Sequence, residues 1–264
     1  MQPRAQLLGR HVGPLATSAL PDHDGTGDAE HCNDAGDTEE LGPPHDHVRY
    51  ASMVASMTLQ AAVDAAATGD VWLFRGRSVA DRAIRLFTNS PVNHVGMVLA
   101  IDDLPPLIWH AELGASMPNV WTGERVRGAQ LHRLDRAVSV WTNRYGQQPW
   151  FRQIDIEVTA DMENRALSVV AEYSGRGFPS TSTLARHWIS GRLRRHVSLT
   201  DVYCAELVAV TYERMGLLGA DRPPNWYDPG TFWSGDRLEL VGAELGPEVH
   251  VTDVPPVQDH WRDG

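Results

Sequence analysis

The stretch Asn93 to Ile101, NHVGMVLAI, decides the fold class together with Leu107 to Leu113, LIWHAEL, which follows it after Asp102-Asp103 and Pro105-Pro106. The first run is rich in β-formers and has no polar side chain from Val95 to Ile101. It therefore reads as a buried strand. The Asp and Pro pairs make a turn, and the second run pairs back on the first as a hairpin. His94 opens the first strand. Gly96, two residues on, faces the same side and leaves room for a close neighbour. His110 and Glu112 share one face of the second strand by the same alternation. If that face also carries His94, a His–His or His–Glu hydrogen bond is available.

Outward from the hairpin, Val71 to Phe74 after Gly69-Asp70 reads as a short strand. Val79, Ala83, Ile84 and Phe87 fit a helix with Ser78 as its N-cap. Earlier, Met53, Met57, Leu59, Ala62 and Val63 recur at helical spacing until Thr68-Gly69. Downstream, Ala129 to Leu134 and Val138 to Thr142 read as two more strands. Met162, Ala166, Val169 and Val170 share a face of a helix over Asp161 to Tyr173, with Gly175 as its stop. Val202 to Met215 is a further helix, closed by Gly216. The Pro- and Trp-rich tail from Asp221 reads as ordered coil wrapping the domain, with a last short strand near Val249 to Val251. Helices, a β hairpin core, then helices again indicate an α+β fold. Residues 1–48 read as a disordered acidic leader, because no apolar period survives in their Gly-, Asp- and His-rich part. Residues 49–264 form one domain.

The 264 residues carry a net charge of −11, and every basic residue is Arg. That acidic excess argues against nonspecific nucleic-acid binding, which needs basic patches to displace phosphate counterions. The cluster Arg192, Arg194, Arg195 reads as a solvated helix end or loop rather than an anion site. No run approaches the roughly 20 apolar residues of a membrane-spanning helix. Arg10, His11, Gly13 and Pro14 interrupt any signal-peptide core. The two cysteines, Cys32 and Cys204, have nothing to staple, so the chain reads as disulfide-free and cytoplasmic.

Cys204 sits in the first turn of its helix, where unpaired N–H groups and the helix dipole favour a thiolate. Cys204, Val208, Thr211 and Met215 also fall on one helical stripe, which suits an ordinary buried cysteine. A cysteine nucleophile needs an imidazole base and a group that fixes its tautomer. His94 supplies the first of these, and His110 or Glu112 the second.

GDVWLFRG (Gly69 to Gly76), SPVNHVGMVL (Ser90 to Leu99) and YCAELV (Tyr203 to Val208) resemble the circularly permuted papain-like enzymes. The likeness is to the YiiX-like branch of the NlpC superfamily, relatives of lecithin retinol acyltransferase, and covers about residues 69 to 216. It implies an antiparallel sheet packed against helices, with the Cys helix after the His strand. It also implies Cys204 as nucleophile, His94 as base and His110 as third member, with Glu112 as the alternative. The Cys204 backbone N–H would be the oxyanion donor, and Glu206 a structural acid. Ala205 departs from the serine frequent after the family's cysteine. The implied reaction is cleavage of an amide, possibly in a cell-wall peptide, through a thioacyl intermediate. The alternatives are a lipid-directed acyltransferase or thioesterase, and a non-catalytic scaffold or binding protein. The substrate expected is a peptide or small acyl compound, with no cofactor. A zinc site of His94, His110 and Cys204 lacks any CxxC or HxxxH spacing, so no metal is expected.

Overall fold

The computed structural model describes residues 55–112, 114–177, 190, 193, 203–234 and 238–256. Cys32, the leader and the Arg192–Arg195 cluster, Leu193 apart, lie outside them. The described elements are β1 (Ser56–Thr58), α1 (Leu59–Ala65), β2 (Val71–Arg75), α2 (Val79–Thr88), β3 (His94–Leu99), β4 (Leu107–Glu112) and β5 (Gly128–Arg133). They continue with α3 (Leu134–Tyr145), β6 (Gln148–Arg152), α4 (Ala160–Tyr173), α5 (Cys204–Met215) and β7 (Val249–Thr252).

The strands form one sheet in the order β1-β7-β6-β2-β3-β4-β5. Only the β1–β7 pairing is parallel; the other five are antiparallel. The architecture is α+β, as the pattern predicts.

Both sheet faces are covered, which is why the central strands read as unbroken apolar runs. Val71 and Leu73 of β2, Val95, Met97 and Leu99 of β3, and Trp109 of β4 pack with α4 and α5. Trp72, Phe74, Val98 and Ile108 point the other way, toward α1 and α3. Gly96 permits the close approach of β4 on this second face. A Cβ there would lie 2.7 Å from Ile108 side-chain atoms and 3.2 Å from the His110 Cβ.

Two expectations are corrected. Val138 to Thr142 lies inside helix α3, not in a strand. The β-branched Val138, Val140 and Thr142 mimic a strand, yet Leu134, Ala137, Val138 and Trp141 recur at helical spacing and are all buried. The first described helix begins at Leu59, capped by Thr58; Met57 belongs to β1, and Met53 lies outside the described residues. The capping of α2 by Ser78 is as expected and closes a reciprocal box with Asp81.

Described parts of the tail are tied to the end of β6. The buried Arg152 guanidinium donates to the carbonyls of Phe232 (2.5 Å), Gly246 (2.6 Å) and Leu245 (2.8 Å). No described helix is long and apolar enough to cross a membrane.

Candidate functional site

The entry to β3 is fixed by Asn93. Its side-chain oxygen accepts from the Gly76 N–H at 2.6 Å, and its amide nitrogen donates to Asp81 at 2.9 Å. Its backbone N–H donates to the Phe74 carbonyl at 2.9 Å. This ties the start of β3 to both β2 and the capped end of α2. The His94 ring that follows rests against Phe74, His110 and Trp141, with centroids 5.8, 5.3 and 5.3 Å away. Its Nε2 is buried without a partner. Burial lowers its pKa to about 4, against a smaller upward pull from Asp81, so the ring is neutral at neutral pH.

His110 lies beneath Trp141, 4.6 Å between centroids, and its Nε2 meets Nδ1 of His132 at 2.9 Å. The register explains the meeting: Ile108 stands opposite His132 and His110 opposite Gln130, so all four side chains share the α3 face. Burial, then the charges of His132 and His94, hold the His110 pKa well below its ordinary value. Burial likewise lowers His132 to about 4, although the Met117 carbonyl favours a proton on its ring. Glu112, half-buried at the end of β4, accepts from the Ser116 N–H at 2.8 Å and the Ser116 hydroxyl at 3.0 Å.

Cys204 is the first residue of α5. The preceding Tyr203 is anchored through its hydroxyl, which lies 2.6 Å from the Tyr227 carbonyl and 3.0 Å from that of Asn225. The thiol is free, buried, and packed in the cluster that contains Val95 and Met97. Burial pushes its pKa up to about 11, outweighing the backbone groups of Val95, Ala205 and Cys204 that pull it down. The sulfur reaches Val95 where the β3–β4 ladder has ended, since the last pair on that side is Met97 with Trp109.

His110 and Glu112 share a face, as the alternation predicts, and the register puts His94 on it as well. The structure brings Cys204 beside Val95, the chain neighbour of His94. Its sulfur and the His94 ring lie toward opposite faces of the sheet, and no hydrogen bond joins them. Glu206 is fully buried in the first turn of α5. One carboxylate oxygen accepts from the Tyr203 N–H at a long 3.5 Å, and the other has no partner.

Sequence reasoning missed His132, Gln130 and Trp141. The first two were legible as polar residues inside the buried strand GAQLHR. Trp141 was hidden by the misread helix.

No family model matches the chain, and no curated protein matches it. Among solved structures, the chain is similar to metalloprotein yiiX from Escherichia coli O157:H7, DUF1105, at 19% identity and a TM-score of 0.40. The match covers 57% of this chain and 66% of that one.

Proposed function

We propose that this chain is a thiol-dependent hydrolase of the permuted papain-like type. Cys204 is the nucleophile, His94 the base, and His110 the group that orients the base, with Glu112 as the alternative. One observation carries the reading: a helix that begins at a cysteine abuts the strand that begins at a histidine, with the sulfur at Val95, next to His94. Their His94–His110 ring contact, 5.3 Å between centroids, supports the role of His110.

In this arrangement thiol and imidazole are both neutral. Reaction therefore requires the His94 ring to turn from Phe74 and Trp141 toward the end of the β3–β4 ladder. There it takes the thiol proton. The thiolate attacks an amide carbonyl carbon, and the Cys204 N–H donates to the developing oxyanion, a contact worth about 2.7–4 kcal/mol. His94 returns its proton to the leaving amine, and water hydrolyses the thioester.

The test is to incubate the protein with activated peptide esters and search for an acyl adduct by peptide mass mapping. The expected adduct lies on Cys204 and is lost in His94→Ala and in Cys204→Ser. A folded wild-type protein that acquires no adduct on Cys204, or acquires it equally without His94, overturns the reading.

A further inference from the structure

We infer that His110, Glu112 and His132 form a binding site for a divalent transition ion of the zinc class, on the α3 face of the sheet and separate from the Cys204 thiol. Each of the three offers one ligand atom, and these atoms all lie within 4.8 Å of one another. Two imidazoles and one carboxylate are a donor set that suits zinc. The two facing nitrogens, Nε2 of His110 and Nδ1 of His132, are already 2.9 Å apart. Tetrahedral ligation with zinc–nitrogen bonds of about 2.0 Å places them about 3.3 Å apart, so the rings separate by only a few tenths of an ångström.

A second observation points the same way. Nδ1 of His110 and both amide atoms of Gln130 are buried without hydrogen-bond partners. Their residues are at most 1% exposed. Buried polar atoms are rarely left unpaired, and several in one cluster call for an explanation. Gln130 stands directly opposite His110, and its amide oxygen or a water can complete the coordination.

The proton count closes. In the present contact one ring donates its N–H to the lone pair of the other. Ligation by both facing nitrogens needs each ring to hold its proton on the far nitrogen, Nδ1 of His110 and Nε2 of His132. One proton moves within one ring, and none is released. Glu112 supplies the oxygen ligand, and its bonds from Ser116 hold the carboxyl group as outer partners hold metal ligands elsewhere. Trp141 covers the His110 side, while half-buried Glu112 leaves an approach from solvent.

The experiment is to strip the full-length protein with a chelator, add Zn²⁺, and read stoichiometry by elemental analysis and affinity by competition with a chromophoric chelator. The expected result is one equivalent per chain and a rise in melting temperature. Affinity should fall roughly 10–100-fold or more in His132→Ala and in Glu112→Gln, and stay unchanged in Cys204→Ser. Co²⁺ substitution adds a spectroscopic signature that the same two variants abolish. If His132→Ala fails to fold, by circular dichroism, Glu112→Gln carries the test. Binding that survives the folded variants places the ion on other histidines and overturns the inference, as does the absence of stoichiometric binding. Retention of zinc by Cys204→Ser, with loss of the acyl adduct, separates this site from the thiol reading.

Discussion

Glu206 is a buried carboxyl in the first turn of the helix that carries the candidate thiol. Burial raises its pKa from the ordinary 4.5 to about 8. The folded protein thus favours the protonated acid, and the associated stability is complete below pH 4.5 and lost as pH climbs through about 8. His94 and His132 act in the opposite direction. Lowered from 6.5 to about 4, they lend stability that is complete above pH 6.5 and lost as pH falls toward 4. Glu206→Gln should reduce the alkaline slope by several kcal/mol at most, at about 1.4 kcal/mol per pKa unit, leaving the part that comes from Glu213, which burial raises to about 7, and leave the acid slope in place. Denaturant midpoints from pH 4 to 9 check this; an unchanged alkaline slope in the variant would assign it elsewhere. At this scale His94 and His110 were legible because each interrupts an apolar run. His132 was legible only as a polar residue in a buried strand; its pairing with His110 depends on a cross-strand register that no sequence spacing announces.

Among the elements, the β3–β4 hairpin was the most legible, because its two runs are buried on both faces and bracket an Asp- and Pro-rich turn. Helix α3 was the least legible, because local β-branching competes with a helical period that only tertiary packing decides. The strands approach closely at Gly96, and its missing side chain permits it. Gly96→Ala puts a methyl group 2.7 Å from the Ile108 side chain and 3.2 Å from the His110 Cβ, so the Ile108 side chain must shift and β4 gives way by a few tenths of an ångström at His110. The expected cost is about 1–3 kcal/mol, read as a lower melting temperature. Because the retreat moves His110 relative to His132, the variant should also weaken zinc binding, whereas Ile108→Val, which removes bulk from the same contact, should cost less stability. Equal stability of Gly96→Ala and wild type would mean that the strands are not held at this spacing.

Across the whole molecule, the candidate thiol depends on a tail that sequence pattern could identify as ordered but could not attach. Besides the β7 ladder, it is attached by Arg152 at the end of β6, 6% exposed, whose guanidinium donates to three carbonyls of the tail. The planar array of donors makes this possible; a lysine ammonium on a thinner stem cannot reach the three in the same geometry. Arg152 and Tyr203 hold the chain after α5 at two places, Arg152 through Phe232, Leu245 and Gly246, and Tyr203 through Asn225 and Tyr227. Loss of the first clamp should therefore loosen the second. Arg152→Met leaves the three carbonyls to find water or stay unpaired, at about 1–3 kcal/mol for each that remains buried. The expected outcome is a denaturant midpoint well below wild type with an unchanged slope, as for a loss of stability without a change in the surface exposed. Alkylation of Cys204, followed by peptide mass, should speed up in Arg152→Met under native conditions, since the thiol is protected by burial. A destabilised variant whose Cys204 stays as unreactive as wild type would show that the tail supports the fold without supporting the helix that presents the cysteine.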